Sequence, residues 1–297
     1  MQTLFNRKYE IIIGLPEFEG HPARSVVIRD SIKVGFNADL NDQGGFNTIQ
    51  MNLYNLNAQN RIDLRHDPSF PEDQKKFRLI TLSFKIGYGD DDLTLVYLGT
   101  VYRAYTQRQG PDFVTVLEGN DGLTGNRSDF INSTQKRGLS NLDILSKQLS
   151  EGLAKGTQSD DAHVNKRPRT LVGAMEQTLE KMRLGSFRWY FSEGKLNQIK
   201  DNEAVEPENK SIPVIKESTG MLEMPTRIHD MIQCQSLINP LVKLGQLFDV
   251  ECQYDPRMDG RYKCTNISLQ GDTRSSEWFM VVKGTKRPKK DVVEVSK

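Results

Sequence analysis

The sequence is poor in cysteine and histidine, and neither charge sign is in excess. Its three cysteines, Cys234, Cys252 and Cys264, are odd in number and too widely separated for a C-x-x-C zinc site. They read as small buried hydrophobes in a chain that folds in a reduced compartment. The four histidines, His21, His66, His163 and His229, stand apart, with no H-x-x-x-H or H-E-x-x-H partner. That spacing argues for scattered polar residues over a metal centre or a catalytic pair. Forty basic and thirty-nine acidic residues leave a net charge of +1. No overall field is available to attract nucleic acid or an anionic bilayer. Long apolar runs are missing too. The opening "MQTLFNRKYEIIIGLPEFEG" places only three consecutive isoleucines before a glycine and a proline, so neither a secretory leader nor a membrane span is expected. Stable membrane association is therefore not expected.

The signatures of common catalytic and nucleotide sites are absent as well. There is no G-x-S-x-G, no Walker-type phosphate loop and no strand-anchored G-x-G-x-x-G. "GNDGLTG" (119–125) lacks the lysine and the following helix of a phosphate cradle and reads as the loop closing a β-region.

A chain of 297 residues is long enough for two domains or three small ones. With 36% hydrophobic and 27% charged residues, wholesale disorder is not expected. The first third alternates with period two. Ile32, Val34 and Phe36 form one run, Ile49, Met51 and Leu53 a second, and Ile80, Leu82, Phe84 and Ile86 a third. Leu93, Leu95 and Tyr97 continue the pattern after "GYGDDD", and "RQGPDFVTVLEG" adds a further turn and strand. Several antiparallel strands over one core are expected, as a sandwich or barrel. The middle changes period. Leu142, Leu145, Leu149 and Leu153 share a helical face, with Ser140 and Asp143 as a capping box and Gly156 as the stop. Leu171, Met175, Leu179 and Met182 suggest a second helix near 170–183, after the polar loop "KGTQSDDAHVNKRPRT". "GSFRWYFSEGKLNQIK" reads as a hairpin turning at Ser192-Glu193-Gly194, and "AVEPENKS" as a linker. Strands return from Leu237 onward, and the tail "KRPKKDVVEVSK" is expected to be mobile.

Each remaining cluster has a plain structural reading. Asp90, Asp91 and Asp92 are adjacent and not alternating, which suits a solvated turn better than a calcium loop. The basic stretches 165–170 and 283–290 lack aromatics to stack bases and read as solvated loop and tail. Phe187, Trp189, Tyr190 and Phe191 form an aromatic stripe suited to a core, although one face of a hairpin could meet a partner chain. No catalytic, cofactor-binding or metal-ligating residue emerges, no cofactor is implied, and an enzyme is not expected.

The order of segments carries more information than any motif. "RKYEIIIG", "SIKVGFNADLN" and "NTIQMNLYNLNAQNRIDL" precede "LSFKIGYGDDDLTLVYLGTVYRAYTQRQGPDFVTVLEGNDG", and "STGMLEMPTR" and "LINPLVKLGQLFDV" follow the middle. This order resembles the baseplate hub proteins of tailed bacteriophages, akin to the late control protein D group and the central hub of contractile tails. The most telling text is Leu53-Tyr54-Asn55-Leu56 together with Gly87-Tyr88 to Gly99-Thr100-Val101. The chain departs from the family pattern at Glu223, where a glycine is expected. The resemblance implies a mainly β (α+β) fold with two tube-like β-barrel modules and a helical insert between them. The corresponding domains are an N-terminal barrel at 1–120, the helical insert with its hairpin at 121–204, a second barrel-like domain at 205–285 and a mobile tail at 286–297. It implies a structural protein of the virion tail, assembled in the host cytoplasm: a homotrimeric, pseudo-sixfold ring joining the tail tube protein to a central spike or tail-tip protein. Other baseplate proteins would surround it, and viral DNA would meet only the lumen, whose lining should be polar without being strongly basic. A tail-tube or tube-initiator protein is one alternative, and a wall-degrading tail enzyme with paired carboxylates is another.

The stretch "QMNLYNLNAQNRIDL" (50–64) gathers these expectations locally. Ile49, Met51 and Leu53 should face the core, and Asn57 should end the strand and cap a helix from Ala58. Ile62 and Leu64 should then close one end of the barrel.

Overall fold

The computed structural model describes residues 6–18, 20, 22–42, 44–74, 78–89, 92–121, 130–139, 154–159, 166–174, 177, 187–207, 211–286 and 292–293. The period-two stretches near the N-terminus all form strands. They are β1 (Arg7–Leu15), β2 (Arg24–Ile28), β3 (Val34–Asn41), β4 (Thr48–Tyr54), β5 (Ile80–Tyr88), β6 (Thr94–Gln109) and β7 (Asp112–Asn120). Alternation in sequence becomes alternation in burial. Val34 and Phe36 on β3, Ile49, Met51 and Leu53 on β4, and Ile80 to Ile86 at every second position of β5 are all buried. The pattern slips at the start of β6, because a bulge leaves Val96 between the pairs Phe84–Tyr97 and Lys85–Leu95.

Helix α1 (Ala58–Leu64) follows β4, and the one-turn α2 (Pro71–Gln74) comes soon after. The start of α1 is as expected: the Asn60 amide donates to the Asn57 side-chain oxygen at 2.8 Å. The strand, however, ends at Tyr54, and Asn55 makes the turn with a left-handed φ of 55°. Asn is one of the few side chains that tolerates that conformation. Leu64 is completely buried, whereas Ile62 is 66% exposed, so these two do not jointly close the core. Two residues apart on a helix is about 200° of rotation, which puts them on opposite faces.

The middle of the chain is described as β8 (Phe130–Gln135), β9 (Ala154–Gln158), β10 (Arg169–Ala174), β11 (Phe187–Ser192), β12 (Lys195–Lys200) and β13 (Ala204–Val205). This corrects the helical reading where the two overlap. Gly156 lies inside β9, Leu171 lies inside β10, and residues 155–158 belong to a ladder and not to an exposed loop. Backbone pairing of β10 with β8, and of β9 with β12, overrides the local three-to-four spacing. Leu142, Leu145, Leu149, Leu153, Met175, Leu179 and Met182 lie outside the described residues.

The last third supplies β14 (Val214–Ile215), β15 (Thr226–Ile228), β16 (Met231–Leu237), β17 (Leu247–Val250), β18 (Gly260–Asp272), β19 (Trp278–Lys286) and β20 (Val292–Val293). The expected linker and tail both change character. Ala204 and Val205 are buried, and β13 pairs in parallel with β20.

Strands β1–β7 and β14–β19 form one 13-stranded sheet with the path β15-β16-β19-β18-β3-β4-β7-β6-β5-β1-β2, with β17 beside β18 and β14 beside β17. Every pairing in it is antiparallel except β14 with β17. The fold is thus mainly β, and no closed barrel is found among the described residues. Two long strands turn the corners. Strand β18 faces β17 over residues 260–263, bulges at Thr265, and then faces β3 over 266–272. Strand β6 changes from β5 to β7 near a second bulge at Tyr102. The core runs unbroken across the β3–β18 junction. Phe36 meets Phe84 and Trp278 edge-on at 4.8 and 5.2 Å, and Trp278 Nε1 donates to the Tyr88 hydroxyl at 2.9 Å.

Candidate assembly interface

The residues that sequence chemistry singled out do not converge. His66 is buried and its backbone pairs with Ala104, and burial lowers its imidazole pKa. His229 occupies an exposed left-handed turn between β15 and β16, with φ 55°. His21 and His163 lie outside the described residues, as do Asp90 and Asp91, while Asp92 is exposed. Cys234, Cys252 and Cys264 are free and buried, and burial pushes the Cys234 thiol up to about 12. They are core residues, as their spacing suggested. Among the described residues no three His, Cys, Asp or Glu side chains are grouped to hold a metal ion. No described helix is long and apolar enough to cross a membrane.

The aromatic hairpin serves the interior on both faces. Trp189, Tyr190 and Phe191 are all buried, so none of these three rings is free to meet a partner; the Phe187 side chain lies outside the described residues. Its two-residue turn is Glu193-Gly194, with φ of 53° and 74° and Ser192 paired with Lys195, as a type I′ hairpin requires. The hairpin locks into the joint between the two β-regions. The Arg188 guanidinium donates to Asp42 at 3.1 Å, and the Lys263 ammonium lies 3.5 Å from the other oxygen of that carboxylate as an ion-pair neighbour without a hydrogen bond. Asp42 and Lys263 are essentially inaccessible to solvent. Burial outweighs both cations and raises the Asp42 carboxyl above its ordinary pKa. The backbone closes the same corner, where the Asp42 amide donates to the carbonyl of the bulged Thr265 at 3.0 Å. Beside it, the Asn47 side chain donates to Asp121 at 2.5 Å and to the Phe191 carbonyl at 2.8 Å. Burial there pushes the Asp121 carboxyl up to about 7 despite these bonds. Gly245 belongs to the same lock: its φ is +75°, and a Cβ there would overlap the Tyr190 hydroxyl.

The outer ends of the sheet path are open. At one end β15 pairs only with β16. Around it Leu222, Met224, Ile228 and Met231 are 49%, 54%, 67% and 43% exposed. Glu223 is exposed between the first two. It is not among the described non-glycine residues with positive φ, so the backbone there does not demand the glycine that the resemblance implies. At the other end lies β2, whose Val27 is half exposed. Arg24 of β2 binds Asn60 at 2.9 Å and pairs with Asp63, which fastens α1 beside this edge.

Between α1 and the β6–β7 hairpin is a groove of about 710 Å³. The Arg61 guanidinium stacks over Phe113 at 4.0 Å and that of Arg65 over Phe70 at 5.9 Å, while Ile62 and Tyr105 complete the apolar lining. The groove's carboxylate, Asp67, is already held by Arg103 at 3.1 Å. Among the described residues no carboxylate pairs with Arg61, Arg65 or Arg108. Exposed edge strands and an apolar, cationic groove are surfaces that another chain can cover, and sequence reading missed the groove because its residues come from α1, the loop after it, β6 and β7.

A family model described as baseplate hub gp41 matches residues 18–284. No curated protein matches by sequence. Among solved structures, a tail protein from Neisseria meningitidis superposes with a TM-score of 0.61 at 9% identity, covering 94% of this chain and 96% of that one. A 43 kDa tail protein of a Shewanella oneidensis prophage gives 0.57 at 10% identity, with coverage of 93% and 96%. An Escherichia coli component of the type VI secretion system, described as structurally similar to the T4 tail proteins gp27 and gp5, gives 0.56 at 8% identity, with coverage of 93% and 77%. At such identities the likeness speaks for the fold.

Proposed function

This chain belongs to the baseplate hub gp41 family of phage tail structural proteins, and we propose that it is the hub that joins the tail tube to the central spike as a homotrimeric ring. The observation that carries this reading is the family match across residues 18–284. The sheet supplies a physical route to the ring. Within one chain the β-regions 1–120 and 205–285 meet through the β3–β18 ladder. Three chains of two modules each would then present six similar units, provided that the free ends at β2 and β15 meet between chains. A contact between two different surfaces, repeated around an axis, closes into a ring. The tail tube protein, the spike or tail-tip protein and other baseplate proteins are its partners, and the virion tail is its location. DNA passes through the lumen without being bound tightly, in keeping with the near-zero net charge. The chain acts as a scaffold, and any wall-degrading step belongs to a partner.

Sedimentation equilibrium of the purified protein tests this directly. A trimer of the 33.8 kDa chain is the expected species. A monomer that persists at high protein concentration overturns the ring.

A further inference from the structure

We propose that the groove between α1 and the β6–β7 hairpin receives the segment Leu222-Glu223-Met224 of a second copy of this chain, a contact that rests on the trimeric reading and identifies the surfaces that make it. The groove has two demands. Its guanidinium groups at Arg61, Arg65 and Arg108 need a carboxylate, since Arg103 already occupies Asp67. Its exposed apolar side chains, Ile62, Phe70 and Phe113, need an apolar cover. Among the described residues, Glu223 is the exposed carboxylate flanked on both sides by large exposed apolar side chains, Leu222 and Met224. Charge and hydrophobicity are therefore complementary in the same three residues.

Placement agrees with chemistry. The segment lies next to β15, at one end of the strand path, and the groove lies beside α1, which Arg24 ties to β2 at the other end. A chain cannot satisfy both demands with one surface, so the contact is between unlike faces, the type that closes rings. The segment is also held ready. Met221 bridges to Ser236, the Leu222 amide donates to the Gln235 carbonyl at 2.9 Å, and β15 resumes pairing at Thr226. Little ordering is left to be done on binding. The groove is preformed as well, because stacking of Arg61 on Phe113 holds that guanidinium in place.

The test is a charge exchange on the full chain. R61E together with R65E, and separately E223R, should each weaken the trimer about tenfold or more in sedimentation equilibrium at low salt. The chain carrying all three substitutions should recover most of that loss, because the ion pairs are re-formed with opposite sense. An independent variant, I62C with L222C, should give disulfide-linked dimers and trimers on oxidation, since the native cysteines are buried. A trimeric parent whose dissociation is indifferent to the single reversals, or is not rescued by their combination, overturns this contact alone, as does an absence of cross-linking between copies. A monomeric parent overturns the trimer and the contact together. Rescue and cross-linking in a trimeric parent establish both.

Discussion

At the joint between β3 and β18, Arg188 and Lys263 meet Asp42 in the interior. At the open end, Arg61 and Arg65 lie over Phe113 and Phe70 with no carboxylate partner among the described residues. Both regions are built around cationic side chains, under different dielectric conditions. In the joint, desolvation is severe, so each cation is tolerable only because it neighbours a carboxylate. In the groove Arg65 is exposed and Arg61 partly exposed, so both stay available. A buried charge cluster therefore specifies which strands sit together within a chain, and an exposed one is a place where a further chain can add.

That contrast can be broken most forcefully at the joint. Asp42→Ala removes the carboxylate 3.5 Å from the buried Lys263 ammonium and should lower unfolding free energy by about 3–5 kcal/mol in urea titration. A loss below about 1 kcal/mol would mean that the cluster is hydrated and no different in kind from the surface.

A second measurement uses pH. The Asp121 carboxyl titrates at about 7 in the fold, against an ordinary value of 3.8. Between those values the folded chain holds a proton that the unfolded chain has released. The stabilisation from Asp121 is complete below about pH 4 and is lost as pH rises through 7. Comparing urea midpoints of the parent and D121N at pH 5 and pH 8 should show the difference moving in favour of the variant at the higher pH. A difference that does not change with pH would place Asp121 in a solvated site.

The smallest effect is expected at the open end. Asn57→Ala removes the cap of α1 and should cost about 1 kcal/mol without altering the joint. Because α1 forms one wall of the groove, the same variant should weaken the proposed trimer more than it weakens the fold. Equal thermal stability of parent and variant would dismiss the cap as a structural element.

Much of the fold is legible in the sequence, and particular residues show why. Ile49, Met51 and Leu53 announced β4 because a strand with one buried face must alternate, and Asn57 announced α1 because a helix start needs a side-chain acceptor. Ser192-Glu193-Gly194 announced the β11–β12 hairpin, and the structure narrows the turn to Glu193-Gly194, with Ser192 already paired to Lys195. Leu171 misled, because its helical spacing is a local signal, whereas its burial in β10 depends on β8, more than thirty residues earlier. Ile62 misled because the face of a seven-residue helix that is buried depends on what it is laid against. The buried stripe of the hairpin was anticipated, but not that both faces would be covered.

The sequence by itself determined the alternating strands, the turns, the buried cysteines and the family, because these depend on side-chain periodicity, local backbone preference and segment order. Only the tertiary structure decided that β18 lies against β3, that Asp42 meets Lys263, and that Arg61 and Phe113 share a groove. Those pairings join residues far apart in the chain. They depend on where bulges such as the one at Thr265 re-aim a strand and on which charges lose their water, and no local pattern encodes either.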